Sequence, residues 1–249
     1  MRAGSPRVSY RYGSAVEAMK SSGGFRFLPT DAPFSAGVAA EAGYQIVRAR
    51  TPRYTALAQG FRMVEETLEA EGRPLAAFCA MELRIPKPLS RAGFDDFNVG
   101  YLAQLQRWGL SVNGHQPAAR TNVAPETEPP EEPSLHAFCY TVEGVGPRAT
   151  FVISGAPEPP GTQGGLSIFW ASIAKALEER MTALGVSWAD ATETQFYGTR
   201  ADHELFAARG LAHFDELVRP GLRWFFARPP VEFFNLEIDV RGLARESFL

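Results

Sequence analysis

Two stretches of this chain read alike at a constant offset. EETLEAEGRPLAA (65–77) and EERMTALGVSWAD (178–190) share Glu65/Glu178, Glu66/Glu179, Ala70/Ala183, Gly72/Gly185 and Ala76/Ala189, each pair 113 residues apart. Each stretch closes a helical stripe. Leu57, Phe61, Val64 and Leu68 recur on one face of the first, and Ile173, Leu177, Met181 and Leu184 on one face of the second. A glycine follows each stripe where a left-handed C-terminal cap belongs. Five identities alone could arise between any two amphipathic helices, so the weight falls on the flanking elements, which also repeat.

In the first half GYQIVRAR (43–50) reads as a strand, followed by the helix ending at Gly72 and the strand FCAMELRI (78–85), which Pro86 and Pro88 terminate. A second helix runs from Phe94 to Leu105 with Phe94, Phe97, Tyr101 and Leu105 inward. HQPAARTNVAP (115–125) is a loop entering a strand, TEPPEEP (127–133) an exposed loop, and LHAFCYTV (135–142) a strand. The second half gives ATFVISG (149–155) as a strand, PEPPGTQGG (157–165) as a loop, the helix ending at Gly185, ATETQFYG (191–198) as a strand, a helix over 202–217, and RWFFAR (223–228) and EFFNLEIDV (232–240) as closing strands. The order β-α-β-α-β-β thus occurs twice. Gly and Pro cluster at EGVGPR (143–148), where a joint is expected. We therefore expect an N-terminal arm over 1–24, a first domain over 25–143 and a second over 144–249. The alternative is one mixed α/β domain, and 249 residues accommodate either.

The net charge of -3 and a pI near 5.9 lack the basic footprint of a nucleic-acid binder. MRAGSPRVSYRYGSAVEAM has no continuous apolar core and no stretch approaches 18 apolar residues, so neither a secretory leader nor a membrane span is expected, and the cytoplasm is the default location. Cys79 and Cys139 sit in apolar runs and read as buried thiols rather than a disulfide framework. His115, His136, His203 and His213 show no ligand spacing, so no metal is expected. GTQGG has neither the lysine of a phosphate loop nor the spacing of a dinucleotide turn, and no Gly-x-Ser-x-Gly elbow occurs, so no cofactor is expected.

Several motifs carry a resemblance. A helix ending in Gly (EETLEAEG), a strand (CAMELRI), a second helix with Phe…Asn-x-x-Tyr (FDDFNVGY) and a Pro-Ala-Arg loop (PAARTNVAP) follow one another. FVISG adds a Val-Ser-Gly-like strand, and Arg223 and Glu237 lie 14 residues apart near the end. In this order the chain resembles the RidA (YjgF/YER057c/UK114) family. The resemblance implies an α/β (α+β) fold of tandem chorismate-mutase-like domains, each a sheet with helices on one face. It also implies a homotrimer with clefts between subunits. Deaminase members of that family hydrolyse reactive enamines and imines, such as 2-aminoacrylate, to the keto acid and ammonia, with an arginine holding the carboxylate.

The residues are weighed on that basis. A guanidinium binds a carboxylate through two parallel hydrogen bonds and keeps its charge. Arg120, among Pro117, Ala118, Ala119 and Val123, is the first candidate anchor, a structural salt bridge being the alternative. Asn98 and Tyr101, on the preceding helix, are candidate substrate contacts, or in the case of Asn98 a solvent-facing residue. Asn122 stands where deaminase members often carry Cys, and its amide is a candidate for positioning water. The first half has no Glu on LHAFCYTV and no Ser-Gly pair on GYQIVRAR. The second half has Ser154, Gly155, Arg223 and Glu237 but no Asn-x-x-Tyr. Glu237 alternates with Asn235 and Asp239 on one face of its strand. Either that face is solvated, or Glu237 lines a desolvated cleft with a raised pKa and passes protons to and from water. Trp224, Phe225 and Phe226 are a cleft wall or a core or interface segment. The resemblance implies one of two functions: a hydrolase of small reactive enamines and imines, with Glu237 and Asn122 catalytic and Arg120, Asn98, Tyr101, Arg223 and Ser154 binding the substrate, or a non-catalytic metabolite-binding or scaffold protein.

Overall fold

The computed structural model describes residues 17–158, 166–209 and 219–249. The described chain is a mixed α+β fold with four α-helices and a twelve-stranded sheet. In chain order these are β1 (Met19–Lys20), β2 (Phe25–Phe27), β3 (Gly37–Ala40), β4 (Tyr44–Ala56), α1 (Leu57–Ala70), β5 (Phe78–Arg84), α2 (Arg91–Arg107), β6 (Ala119–Pro125), β7 (Ser134–Glu143), β8 (Phe151–Pro157), α3 (Leu166–Ala183), β9 (Glu193–Gly198), α4 (Arg200–Arg209), β10 (Leu222–Arg228), β11 (Glu237–Gly242) and β12 (Arg245–Phe248).

Connectivity repeats between the halves. β6, β5, β7 and β4 are adjacent in that order, and so are β10, β9, β11 and β8. The middle pairs agree in sense: β5 with β6 and β9 with β10 are parallel, whereas β5 with β7 and β9 with β11 are antiparallel. Gly72 and Gly185 both take positive φ, 64° and 66°, the left-handed value that glycine adopts without steric cost. Short 3-10 turns follow at Leu75–Ala77 and Trp188–Asp190, again 113 residues apart. Glu65 and Glu178 each accept an indole N–H, from Trp108 at 2.6 Å and Trp188 at 3.3 Å.

The chain ends cross over between the halves. β3, within the residues assigned from sequence to the first domain, pairs with β8 in the second half, whereas the C-terminal β12 pairs with β4 in the first. The half-sheets meet where β10 pairs antiparallel with β6, and Ser35 forms a parallel bridge to Ala119. Apolar clusters form around α1 and α2 with β4, β5 and β7, and around α3 with β8, β9 and β11. A third, with Phe25, Phe27, Val38 and Val152 against Ile46, Cys79, Ala119 and Cys139, joins the halves. Both cysteines are buried in it, and burial pushes the Cys139 thiol up to about 12. Among the described residues no helix is long and apolar enough to cross a membrane.

Two sequence expectations change. The closing strand begins at Glu237 rather than at 232, because the Glu158 carboxylate captures the backbone N–H groups of Asn235 (2.7 Å) and Leu236 (3.1 Å) that a ladder would need. The helix over 202–217 spans Arg200–Arg209 as α4; the rest of it, most of the loop over 157–165 and most of the N-terminal arm lie outside the described residues.

A polar layer is buried between the halves. Glu82 takes Arg48 in a two-point bond (2.7 and 2.6 Å) and also Arg241 from the other half; Arg241 reaches Asp239 at 2.5 Å. Glu246 on β12 caps Arg48. Removing one member of such a group leaves uncompensated charge, which costs more than the intact group contributes. Glu82→Gln is expected to lower stability by about 3–5 kcal/mol at neutral pH, measured by chemical denaturation. Burial alone would raise the Glu82 pKa, but Arg241 and Arg48 outweigh it and hold the carboxyl well below its usual range. Its contribution is therefore present above the unfolded value of about 4.3 and is lost as pH falls through the folded value, so the gap between wild type and variant narrows in acid below about pH 4.

Candidate active site

Strand alternation puts Arg120 and Asn122 on one face of β6 and Thr121 on the other. The first face meets α2. Arg120 is buried (3% exposed). Its Nη1 donates to Asn98 Oδ1 at 2.8 Å, and its guanidinium lies 4.5 to 5.7 Å from the ring centres of Phe34, Tyr101, Phe94 and Phe97. Asn98 is held in turn by donating to the Phe94 carbonyl at 2.8 Å. Asn98 is thus buried, not solvent-facing; it orients the arginine. Tyr101 is fully buried beside the same guanidinium, its hydroxyl has no hydrogen-bond partner among the described residues, and burial raises its pKa to about 12. Asn122 is 3% exposed, and both atoms of its amide are buried without a hydrogen-bond partner among the described residues. Polar atoms in that condition are rare in native proteins and call for a ligand, a water or a functional reason.

The second half of the site arrives on β8 and β11. Ser154 Oγ accepts the backbone N–H of Arg120 at 3.0 Å and donates to the Ser35 carbonyl at 2.6 Å, so β6 and β8 are stitched together at the anchor. Gly155 follows. A Cβ at that position would stand 1.9 Å from Glu237 Oε1, so the carboxyl of Glu237 rests directly on the glycine. Glu237 is 3% exposed, which overturns the reading of its strand face as solvated; Asp239 on the same face is fully buried, while Asn235 precedes the strand and is exposed. Burial pushes the Glu237 pKa well up and Asp239 adds to it; Arg84 and Arg120 offset this only in part. Its carboxyl therefore holds a proton to higher pH than an ordinary carboxylate does, in a dry setting.

Further contacts fix the carboxyl from both ends of β11. Glu158 grips Asn235 and Leu236 just before it. Asp239, just after it, accepts the hydroxyls of Thr121 (2.8 Å) and Tyr197 (2.9 Å), tying β11 to the strand that carries Arg120 and Asn122. Tyr197 stands directly across from Glu237 in the β9–β11 pairing, and the Arg84 guanidinium lies 5.5 Å from the Tyr197 ring and 5.3 Å from that of Phe225.

The structure therefore gathers Arg120, Asn98, Tyr101 and Asn122 from the first half with Ser154, Gly155 and Glu237 from the second. Arg223 is not part of the group. It sits opposite Gln195, is bound by Glu193 at 2.9 Å, and its side chain is 40% exposed. Sequence reading missed Arg84, Glu158, Asp239 as a positioning group, and the packing of Glu237 on Gly155. Arg84 left one signal: Glu82 and Arg84 alternate with Met81 and Leu83 in a run otherwise read as apolar.

Comparison with known proteins agrees with this architecture. A crystal structure of a chorismatase superposes with a TM-score of 0.50 at 15% identity, covering 91% of this chain and 79% of that one; this is a likeness of fold. The E. coli YjgF gene product aligns with 42% of this chain and 87% of its own at 21% identity, but with a TM-score of 0.33 that carries no weight. The 2-aminomuconate deaminase CnbZ family matches residues 17–247. A 2-amino-5-chloromuconate deaminase of Comamonas testosteroni is 37% identical over 250 residues, covering 92% of this chain and 97% of its own. The chain belongs to the 2-aminomuconate deaminase CnbZ family.

The raised pKa of Glu237 has a thermodynamic signature. Its raised folded pKa means that its contribution to stability is full below the unfolded value of about 4.3 and is lost as pH rises toward the folded value. Glu237→Gln, which mimics the protonated form, is expected to melt above wild type at neutral pH and to converge on it near pH 4, read by thermal melts across that range.

Proposed function

We propose that this protein is a hydrolytic deaminase of 2-aminomuconate-type compounds: carboxylate-bearing enamines and imines that exchange a C–N bond for a C–O bond and release ammonia. The observation that carries the reading is Glu237, fully buried and seated on Gly155, with its pKa raised well above the ordinary carboxylate range and the Arg120 guanidinium near enough to act on it. Membership of the CnbZ family supports the substrate class.

In this reading Arg120 anchors the carboxylate next to the reacting carbon, and Asn98 fixes the direction of its fork. Glu237 gives its proton to the enamine carbon, forming an iminium. Its carboxylate then takes a proton from water as the water oxygen bonds to the iminium carbon, and the Asn122 amide orients that water. The regenerated acid protonates the carbinolamine nitrogen. The C–N bond breaks, ammonia departs, and Glu237 recovers the hydroxyl proton as the carbonyl forms. One group thus serves in turn as acid and base, and the enzyme ends as it began. The buried setting favours these transfers, because it raises the Glu237 pKa out of the ordinary carboxylate range toward the range in which a group both gives and takes protons. We further propose that the repeated topology descends from duplication of one domain, with the two copies specialised to opposite sides of a single site.

The test is ammonia release from enzymatically generated 2-aminomuconate. Glu237→Gln is expected to lower kcat by a factor of about 10² to 10⁴ while leaving the fold intact. Wild-type activity should fall as pH rises through the elevated Glu237 value. Arg120→Lys keeps the charge but loses the fork and is expected to raise KM, with a loss in kcat/KM of about thirtyfold, equivalent to roughly 2 kcal/mol. Ammonia release by Glu237→Gln at the wild-type rate would assign the acid to a different group, and no ammonia release by wild type would assign the protein to metabolite binding.

A further inference from the structure

We propose that Glu158 is a positioning residue for the acid: its side chain takes the place of the sheet ladder where β11 begins, and so fixes where Glu237 stands over Gly155. This inference rests on the reading of Glu237 given above and deepens it.

Glu237 is the first residue of β11, and the ends of elements are where a fold opens at least cost. Its partner on β8 is Pro157, the last residue of that strand, which has no N–H to give to a ladder. Neither ladder of β11 extends past Glu237 toward the N-terminus. The chain before it is irregular: Val231 bridges to Leu89, and Phe234 closes a turn on the Val231 carbonyl. An acid in such a place would move with the end of its strand.

Glu158 prevents this. It directly follows Pro157, so a continued antiparallel ladder would set it opposite Leu236. Its side chain does the work of that ladder instead. Oε1 accepts the backbone N–H of Asn235 and the side-chain amide of the same residue, both at 2.7 Å, and Oε2 accepts the backbone N–H of Leu236 at 3.1 Å. Bonds to a carboxylate are stronger and more directional than those to a neutral carbonyl, and Glu158 is only 4% exposed. The Leu236 side chain is itself buried in the cluster around α3. The chain therefore enters β11 with both the backbone and the side chain of the preceding residue held, which leaves Glu237 little freedom to swing. The groups that face Glu237 are Asp239 on its own strand, Tyr197 across from it on β9, Arg84 from β5, Arg120 from β6 and Glu158 from the end of β8. Asp239 and Glu158 favour its protonated form, and the two arginines oppose it. A neutral residue at 158 removes one of the two favourable charges, so Glu237 would give up its proton at lower pH.

The experiment measures kcat, KM and the pH profile of ammonia release from enzymatically generated 2-aminomuconate. The proteins compared are wild type, Glu158→Gln, Glu158→Asp, Glu237→Gln and the variant carrying both Gln substitutions. Glu158→Gln keeps the shape but turns one acceptor into a donor aimed at an N–H. It is expected to lower kcat by about tenfold to a hundredfold, as a small misplacement of a reacting group does, with little change in KM. The fall in activity at high pH should move to lower pH. Glu158→Asp, with two acceptors on a shorter stem, should recover part of both effects. Because Glu158 acts through Glu237, the double variant should be no slower than Glu237→Gln alone. A loss that multiplies in the double variant, or a folded Glu158→Gln with wild-type kcat and an unmoved pH profile, would overturn the role of Glu158. Wild-type kcat in Glu237→Gln would instead overturn the underlying reading of the acid. One measurement needs no variant to fold: hydrogen exchange of wild type should find the Asn235 and Leu236 amides protected like those of β11, although Asn235 is exposed, and free exchange at both would overturn the proposal.

Discussion

Glu82 holds guanidiniums from both halves of the chain at once, and the rest of the structure is arranged around that fact. Its two oxygens bind Arg48 from β4 and Arg241 from β11. An apolar interface would have tolerated sliding; a shared carboxylate with fixed donors does not, because any shift strands a buried charge. Asp239 extends the lock, receiving Arg241 on one oxygen and Thr121 and Tyr197 on the other. Thr121 lies between Arg120 and Asn122, and Asp239 lies two residues from Glu237. The ionic layer thereby sets the register between the strand that carries the anchor and the strand that carries the acid.

That arrangement gives a reason for the complementary losses in the two halves. The first half has Arg120 but no Ser-Gly pair and no glutamate on its closing strand; the second has Ser154, Gly155 and Glu237, while Arg223 on its β10 is tied to Glu193. Neither half could assemble the group alone. If the site proposed above lies between the halves, each contributes one wall of it.

Much of the architecture was legible because it follows from local chemistry. Helical stripes, proline stops and the glycines at 72 and 185 act within a few residues, and the offset of 113 survives in the 3-10 turns and the indole-binding glutamates. What was not legible depends on partners distant in sequence. EFFNLEIDV alternates as a solvated strand does, and only the packing of the opposite half makes its polar face an interior one. Arg84 looks like the end of an ordinary strand until Tyr197 and Phe225 are brought under it. Arg223 and Glu237 are 14 residues apart and looked like a pair, but their partners on β9 are Gln195 and Tyr197, two positions apart along the strand. The exchange of strands, β3 to the second half and β12 to the first, leaves no mark in composition or periodicity.

The same buried layer contains both a stabilising carboxylate and a destabilising one. Glu82 is drawn down by the two guanidiniums it binds, whereas Glu237 is pushed up by burial and by the neighbouring Asp239. Environments that drive two carboxyls apart in this way separate a structural role from an acid–base role. Asp239 takes part in both. Through Thr121 and Arg241 it locks the strands together, and as a nearby negative charge it helps raise the Glu237 pKa. Replacing it by a neutral residue would loosen the interface and favour ionisation of the acid together, so stability and reactivity are coupled at this position by the same charge.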